Sequence, residues 1–313
     1  MGLAWRPVSR NWPTLAYEQW HATCDTLHAH TQVLGKLAVE LAPPEPQLQH
    51  AALRLTPRGW ETNVLPAPDG SGAIVAGLDL RTHEAFVEHT DGHEVRISLT
   101  PNRPVAEVVR EVLEAVDRVA GEVEINPKPQ EVPWTAPLDE DREHETYDPD
   151  QVTTYFAAAT QAALVLGEFR APFRGRVTPV NAWWGTFDMA VNFFNGKPAE
   201  PPGDDFIFRN GGDAEQISVG WWPGDRNHER AAFFAFAHPA PPDFSEADLS
   251  PDPAHWESDL GEFVLDWEDI RSSEDPHALA LEFAHSAYAH ACRVCAWDPV
   301  LAGSGEGRPP PIH

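Results

Sequence analysis

The sequence has 313 residues and a formal net charge of -27; 42% of its residues are hydrophobic, and 12 are tryptophan. This length is enough for one large domain or two ordinary ones, and an acidic surface disfavours nucleic acids and anionic membranes as partners. The sequence has neither a membrane-length apolar run nor an apolar signal segment, and its three cysteines are too few for a disulfide framework, which together predict a cytoplasmic protein.

The first part of the chain, residues 12–125, is predicted to form a lobe of helix, strands and helix. Residues 14–34 carry an apolar stripe at helical spacing, and Gly35 is a typical helix end. A second helix is predicted at residues 105–120, where aliphatic residues share one wide face. Alternating apolar residues and turn signals predict the intervening strands at 36–42, 50–56, 74–80, 84–89 and 93–99.

A proline-rich connector, residues 126–143, is predicted to lead into a second lobe at 144–300. Asp148-Pro149 and Asp275-Pro276 are helix-capping pairs, so we expect helices at 149–168 and 276–296. The last residues, 301–313, are predicted to be a disordered tail. Strands between the two helices are expected at 175–182, 183–194, 216–222, 231–237 and 262–267.

This order of elements predicts an α+β fold with antiparallel sheets packed against helices. Strands are grouped between helices and do not alternate with them, which argues against a parallel sheet. The repeated order of helix, strands and helix suggests an internal duplication. The sequence has no glycine-rich phosphate-binding loop, so no cofactor is indicated and the cofactor stays unknown.

Two tryptophan pairs, in WWGTFD (183–188) and GWWPG (220–224), mark the predicted site. If residues 180–194 form one strand, Trp184 and Asp188 share the face opposite the apolar one. An indole and a carboxylate on one face suit a half-covered concave surface, since a fully exposed tryptophan would forgo a large gain from burial. The alternative interpretation is that both pairs are packing anchors of the core.

The first helix carries a polar stripe that includes His21, Asp25, His28 and Gln32. Histidine and carboxylate at these spacings can ligate a metal, but the default interpretation is a solvated helix face. The cysteines of the CxxC at 292–295 lie well inside a predicted helix, where a structural role is expected.

Several stretches together resemble a bacterial family, the domain-of-unknown-function family 5996. They include TLHAHTQVLGK (26–36), TPRGW (56–60), FRAPFRGRVTPVNAWWGTFDMA (169–190) and LGEFVLDWEDIR (260–271). The resemblance carries no activity or ligand, but it marks recurrent motif positions. It also shows two departures, Asn181 and Ala214, where the family pattern has histidine, which argues against a histidine-based metal centre here. The motif positions are His28, Gln32, Gly35, Lys36, Arg58, Gly59, His144, Tyr147, Trp184, Gly185, Phe187, Asp188, Trp222, Pro223, Gly224 and Glu262.

Three functions follow as hypotheses. The first is a small-molecule-binding protein or enzyme with a cleft on a sheet face, with no nucleic-acid or membrane partner and an undetermined oligomeric state. Its catalytic candidates are Asp188, His28 and Glu262, and its ligand-binding candidates are Trp184, Trp222, Lys36, Arg58, Gln32 and His144. The second is a non-enzymatic interaction or scaffold protein that uses the tryptophans as core or interface. The third is a metal-dependent hydrolase using His21, Asp25 and His28.

Overall fold

The structure, a computed structural model, describes residues 12–302. Its helices are capped as the sequence indicates: Asp148 accepts hydrogen bonds from the backbone of Asp150 and Gln151, and Asp275 from that of Ala278. The helices are α1 (Tyr17–Leu41), α2 (Val105–Ala120), α3 (Pro149–Arg170), α4 (Phe206–Gly211), α5 (Trp267–Arg271), α6 (Pro276–Val294) and α7 (Pro299–Ala302), with a short 3-10 helix at Pro46–Ala51.

The strands form two separate antiparallel sheets, which confirms the predicted α+β class. The first sheet contains β1 (Arg54–Leu55), β2 (Gly59–Glu61), β3 (Leu65–Pro66), β4 (Ala73–Asp79), β5 (Glu84–His89) and β6 (Glu94–Ser98), in the order β1-β2-β4-β5-β6 with β3 paired to β4. The second sheet contains β7 (Arg176–Val177), β8 (Asn181–Trp183), β9 (Asp188–Pro198), β10 (Ala214–Trp222), β11 (Ala232–His238), β12 (His255–Glu257) and β13 (Glu262–Asp266). Its order is β12-β13-β11-β10-β9-β7, with β8 paired to β9.

Helices cover one face of the second sheet. The alternation along β9 sends Met189, Val191 and Phe193 toward α3, into a hydrophobic cluster that also includes side chains of the first sheet. The opposite face carries a smaller apolar cluster around Trp222 and Phe234. A single bridge, between Leu53 and Ala182, joins the two sheets.

The first helix does not end at residue 34 as predicted. Helix α1 runs through Gly35 to Leu41, so the strand predicted at 36–42 is helical. Gly35 is not a helix stop because its missing Cβ serves packing: a Cβ there would lie 2.1 Å from the Trp184 ring. A close approach between a helix backbone and an indole explains this glycine.

The single strand predicted over 180–194 is instead a hairpin. Strands β8 and β9 pair antiparallel, with Trp183 opposite Asp188, and the loop between them holds residues 184–187. Phe187 closes the loop with a positive φ of 59°. The turn breaks the strict alternation that the prediction used, so Trp184 and Asp188 are not on one continuous strand face.

The proline-rich connector has no helix or strand but is held by hydrogen bonds to α1. Lys36 donates to the carbonyl of Lys128, and Asp141 is fully buried and accepts from the backbone of Glu143 and His144. The predicted tail, 301–313, lies outside the described residues from 303 onward, while residues 301 and 302 end helix α7. Within the described residues, no helix is long and apolar enough to cross a membrane.

Candidate functional site

The open face of the second sheet forms the floor of a cavity, which we call the sheet pocket. Residues two apart on β9 and their register partners on β10 and β11 face this side. Helix α4 and the 3-10 helix cover part of this floor. The sheet pocket has a volume of about 460 Å³ and is lined by Gln47, Leu48, Gln49, Trp183, Asn192, Phe194, Pro202, Ile207, Phe208, Gly211, Gly212, Gln216, Phe236, Ala237, His238, Leu260, Gly261 and Glu262.

Most of the pocket wall is apolar, and a few polar groups interrupt it. Trp183 and Phe236 are half-buried and stand on the sheet floor, while Phe208 on α4 is 46% exposed at the opposite wall. Ligand sites of soluble proteins combine these features, with apolar walls and a small number of placed polar groups in a volume of about 300–1,000 Å³.

Glu262 is the acidic group of the sheet pocket. It is the first residue of β13 and is half-buried. Burial, and then the charges of Asp188 and Asp225, raise its pKa to about 8. The carboxyl therefore keeps its proton at neutral pH, where it can donate a hydrogen bond or a proton.

Asp188 lies near Glu262 and couples to it electrostatically. It is 8% exposed at the start of β9, and the hydroxyl of Thr186 in the hairpin loop donates to its Oδ1. Burial raises the pKa of Asp188 to about 7, against the opposing effect of the Thr186 hydrogen bond. The charge of Asp188 thus acts on Glu262, but Asp188 does not line the sheet pocket and borders the small cavity beside Trp184.

A third carboxyl, Glu131, joins this acidic region from the connector. Its Oε2 lies 2.2 Å from the point where a Cβ on Gly185 would be, so the glycine makes room for it. Glu131 is exposed at the protein surface. Desolvation by the neighbouring protein, followed by the charges of Asp188 and Asp205, raises its pKa to about 7.

His28, the third predicted catalytic residue, makes contacts that hold two parts of the fold together. Its Nε2 lies 2.9 Å from the carbonyl oxygen of Trp184 and 3.0 Å from that of Gly185, so this nitrogen carries the proton and donates. The ring stacks on Phe187 with centroids 5.0 Å apart. Burial outweighs the two carbonyl contacts and lowers the pKa of His28 to about 4. The neutral ring holds the hairpin loop to α1.

Two other polar residues of α1, Gln32 and Lys36, are buried and hold the connector. Gln32 is fully buried and makes two hydrogen bonds of 2.9 Å with the backbone of Gln130, one donated and one accepted. Lys36 donates to the carbonyl of Lys128 at 2.6 Å and lies 5.3 Å above the Trp184 ring. Burial, with Lys128 nearby, lowers the pKa of Lys36 to about 8.

Trp184 is a packing anchor, and its neighbour Trp183 faces the sheet pocket. Trp184 is 5% exposed between α1 and the connector, and it contributes to two small cavities. One, of about 10 Å³, is shared with Asp188 and is the size of one water molecule. The other, of about 160 Å³, is lined in part by Lys36.

Trp222 stands on the open face but does not line the sheet pocket. Its ring packs against Phe234 and His228, with centroids 5.5 and 5.4 Å apart. It is 8% exposed. The hydrophobic cluster that it forms supports the floor of the pocket from one side.

None of the six predicted ligand-binding residues lines the sheet pocket, and Arg58 and His144 have partners of their own. Arg58 lies directly before β2, paired with Glu61 at 2.9 Å and stacked on the Phe86 ring. His144 lies 2.7 Å from Asp141 and packs against Trp134. Burial opposes the charged form of His144, but the contact with Asp141 outweighs it and raises the pKa. Both residues have local structural partners.

The proposed metal ligands on α1 are each engaged elsewhere. His21 contacts the backbone of Glu18, and Asp25 pairs with Arg226. Within residues 12–302, no group of three or more histidine, cysteine, aspartate or glutamate side chains is arranged to hold a metal ion. Cys24, Cys292 and Cys295 are free.

A family model described as "Family of unknown function (DUF5996)" matches residues 12–302. The chain belongs to the DUF5996 family. This confirms the resemblance found in the sequence motifs, and the match spans both sheets and the whole sheet pocket. Searches of curated proteins and of solved structures each found no match.

Several residues of the DUF5996 sheet pocket were not selected from the sequence. Asn192 appeared on the polar face of the predicted strand but was not chosen, although a buried amide in an apolar strand is a usable signal. Gln47 had no such signal. It reaches the pocket through an irregular backbone, with positive φ at Gln47 and Leu48.

Proposed function

We propose that this DUF5996 protein binds a small organic molecule in the sheet pocket and that Glu262 is the ionisable group of that site. The observation that carries the proposal is the cavity of about 460 Å³ with Glu262 in its apolar wall. Desolvated carboxyls with raised pKa values concentrate at functional sites.

Glu262 gives the site chemistry beyond binding. A carboxyl with a pKa near 8 is protonated at neutral pH and can act as a general acid, and Asp188 nearby, with a pKa of about 7, is suited to exchange protons. With these two groups, the proposed binding site also has the proton donor and acceptor that acid–base catalysis needs.

The same proposal includes a cytoplasmic location and no nucleic-acid partner. The free cysteines agree with a reducing compartment. The net charge of -27 repels phosphate backbones. The scaffold alternative is less favoured, because Trp184, Trp221 and Trp222 are buried within the chain and offer no surface to a partner.

A thermal-shift screen tests the proposal with a variant that fills the pocket. Gly211 lines the cavity, and a Cβ added there meets no atom within 4 Å, so Gly211→Leu adds a large apolar side chain to the pocket wall without a clash at its Cβ. Gly167 on α3 has equally open surroundings and is absent from the pocket wall, so Gly167→Leu is the matched control.

We expect at least one member of a library of anionic, neutral and cationic metabolites to raise the melting temperature of the wild type and of Gly167→Leu. The same compound should have little effect on Gly211→Leu. A library without any stabilising compound, or one whose stabilising compounds act equally on Gly211→Leu, would show that the sheet pocket is not a ligand site.

A further inference from the structure

Lys36 is a buried cation without a carboxylate partner. It is 5% exposed, and its Nζ donates to the carbonyl of Lys128 at 2.6 Å. An ammonium group has three donors, so two of them find no acceptor among the described residues. The chain has 49 acidic residues, yet none of the described carboxylates forms an ion pair with Lys36. Because burying an unpaired charge is costly, Lys36 calls for a partner that the protein itself does not supply.

Lys36 lines a cavity of about 160 Å³, which we call the lysine pocket. Its Nζ lies 5.3 Å from the centre of the Trp184 ring, which lines the same cavity. A dry cavity of about 150 Å³ in another protein holds one benzene molecule, so the lysine pocket has room for a small organic ligand. The wall has three apolar side chains and three polar ones besides Lys36: Val39, Trp184 and Phe206, and Glu40, Asn126 and Gln130.

The lysine pocket and the sheet pocket share no lining residue. Neighbouring residues nevertheless line them. Phe206 at the start of α4 lines the lysine pocket, whereas Phe208 lines the sheet pocket. Trp184 of the hairpin loop lines the first, and Trp183 lines the second. The two cavities are therefore separate candidate sites.

An amide of the same wall adds a second donor next to Lys128. The backbone N–H of Lys128 can only donate, so the atom of Asn126 that lies 3.0 Å from it is Oδ1. The Nδ2 group of Asn126 then keeps both of its hydrogens for solvent or a ligand. Glu40, which is exposed, is the acidic group of the wall. The donors near Lys128 favour an acceptor as ligand.

We propose that the lysine pocket binds a small carboxylate whose oxygens accept hydrogen bonds from Lys36 Nζ. The ligand supplies the negative charge that Lys36 lacks, and its apolar body packs against Trp184 and Phe206. A carboxylate beside Lys36 also favours the charged form of this lysine, which burial disfavours. This site goes beyond the proposed function of the sheet pocket and does not depend on it.

A matched series of probes tests the ligand class: benzoate, benzyl alcohol and benzylamine, each titrated calorimetrically at neutral pH. The three share a phenyl ring and differ in the polar group. We expect benzoate to bind about tenfold more tightly than benzyl alcohol, as for a hydrogen bond between charged groups. Benzylamine should bind most weakly, because its ammonium group would meet that of Lys36.

The variant Lys36→Met removes the charge and keeps an unbranched side chain, and Lys197→Met is its matched control. Lys197 is exposed on β9 and is absent from the wall of the lysine pocket. We expect Lys36→Met to weaken benzoate binding about tenfold and to remove its advantage over benzyl alcohol. Lys197→Met should bind benzoate like the wild type. Melting temperatures check that both variants fold.

The charge of Glu40 provides a test of opposite sign. Because Glu40 is exposed, Glu40→Gln removes a negative charge from the wall and leaves the buried packing intact. We expect benzoate to bind about threefold more tightly to this variant, and benzyl alcohol to bind as it does to the wild type. Glu40→Gln carries the test if Lys36→Met does not fold.

The absence of benzoate binding overturns the carboxylate assignment, as does equal or tighter binding of benzyl alcohol or benzylamine. Benzoate binding that Lys36→Met leaves unchanged, or that Glu40→Gln does not tighten, overturns it as well. Loss of benzoate binding in Gly211→Leu would mean that the probe occupies the sheet pocket, which also overturns the assignment. The sheet pocket itself is judged by its own screen, so the two proposals can fail separately.

Discussion

The contact between Gly35 and Trp184 leads to a prediction with opposite signs for two similar substitutions. In Gly35→Ala, the added Cβ would lie 2.1 Å from ring atoms of Trp184, whereas ordinary contacts begin at 3.4 Å. The ring would have to retreat by more than an ångström. Trp184 is 5% exposed, with Lys36 lying over its ring, so little room exists for that movement.

Two opposing contributions set the expected change in the free energy of unfolding. Alanine stabilises a helix interior by up to about 1 kcal/mol relative to glycine. Forcing extra volume into a packed interior costs about 1–3 kcal/mol, and the depth of this overlap places the cost in the upper part of that range. We therefore expect Gly35→Ala to lower the free energy of unfolding by about 1–2 kcal/mol.

Gly167→Ala is the matched control, because the same change in α3 meets no atom within 4 Å. Only the helix term remains there, so we expect stabilisation by about 0.5–1 kcal/mol. Urea unfolding followed by circular dichroism measures both variants. If Gly35→Ala stabilises the protein as Gly167→Ala does, α1 does not pack its backbone against Trp184 and our account of this glycine is wrong.

A smaller side chain at position 184 provides a second test of the same contact. In a Trp184→Leu background the overlap disappears, so adding Gly35→Ala should no longer destabilise the protein. The two substitutions share one contact and should therefore be non-additive by at least about 1 kcal/mol in a double-mutant cycle. Additive effects would indicate that the cost of Gly35→Ala arises elsewhere.

Two further predictions concern the buried polar groups. The pKa of Glu262 rises from 4.5 unfolded to about 8 folded, so its stabilising contribution is complete below about pH 4.5 and is lost as the pH rises through about 8. Between about pH 5 and pH 8.5, the free energy of unfolding should therefore fall by at least about 1 kcal/mol less in Glu262→Gln than in the wild type. Urea unfolding measures both pH profiles, and parallel profiles would contradict this prediction. Gln32→Ala should destabilise the fold by about 2 kcal/mol and speed hydrogen exchange at the Gln130 amide, since both its hydrogen bonds to that backbone are lost; unchanged exchange there would argue against the clamp.

Most of the fold could be predicted from local patterns in the sequence. The helix at 105–120 was predicted with the bounds that the structure has, because its apolar face is wide and Gly121 ends it. The capping pairs at Asp148 and Asp275 fixed the starts of α3 and α6. The bounds of the two lobes and the duplication stay predictions.

The errors arose where a long-range contact decides the local structure. Gly35 looks like a helix stop until the Trp184 ring is placed against it. The hairpin at 184–187 looks like one strand, because its loop contains Phe187 at a positive φ, which no turn rule anticipates. His28 looked like a base because its two carbonyl partners are 156 and 157 residues away along the chain.

The sheet pocket contains several groups that lower the stability of the fold. Each unpartnered buried acceptor at Asn192 and Gln47 costs about 1–3 kcal/mol, and the backbone of Gln47 adds a further cost in its left-handed conformation. On the neighbouring strand, the hydroxyl of Ser218, the register partner of Asn192, is also buried without a partner. Glu262 adds a desolvated carboxyl to the same wall. An apolar side chain at any of these positions would relieve its cost, so the concentration of these costs around one cavity supports the proposed ligand site.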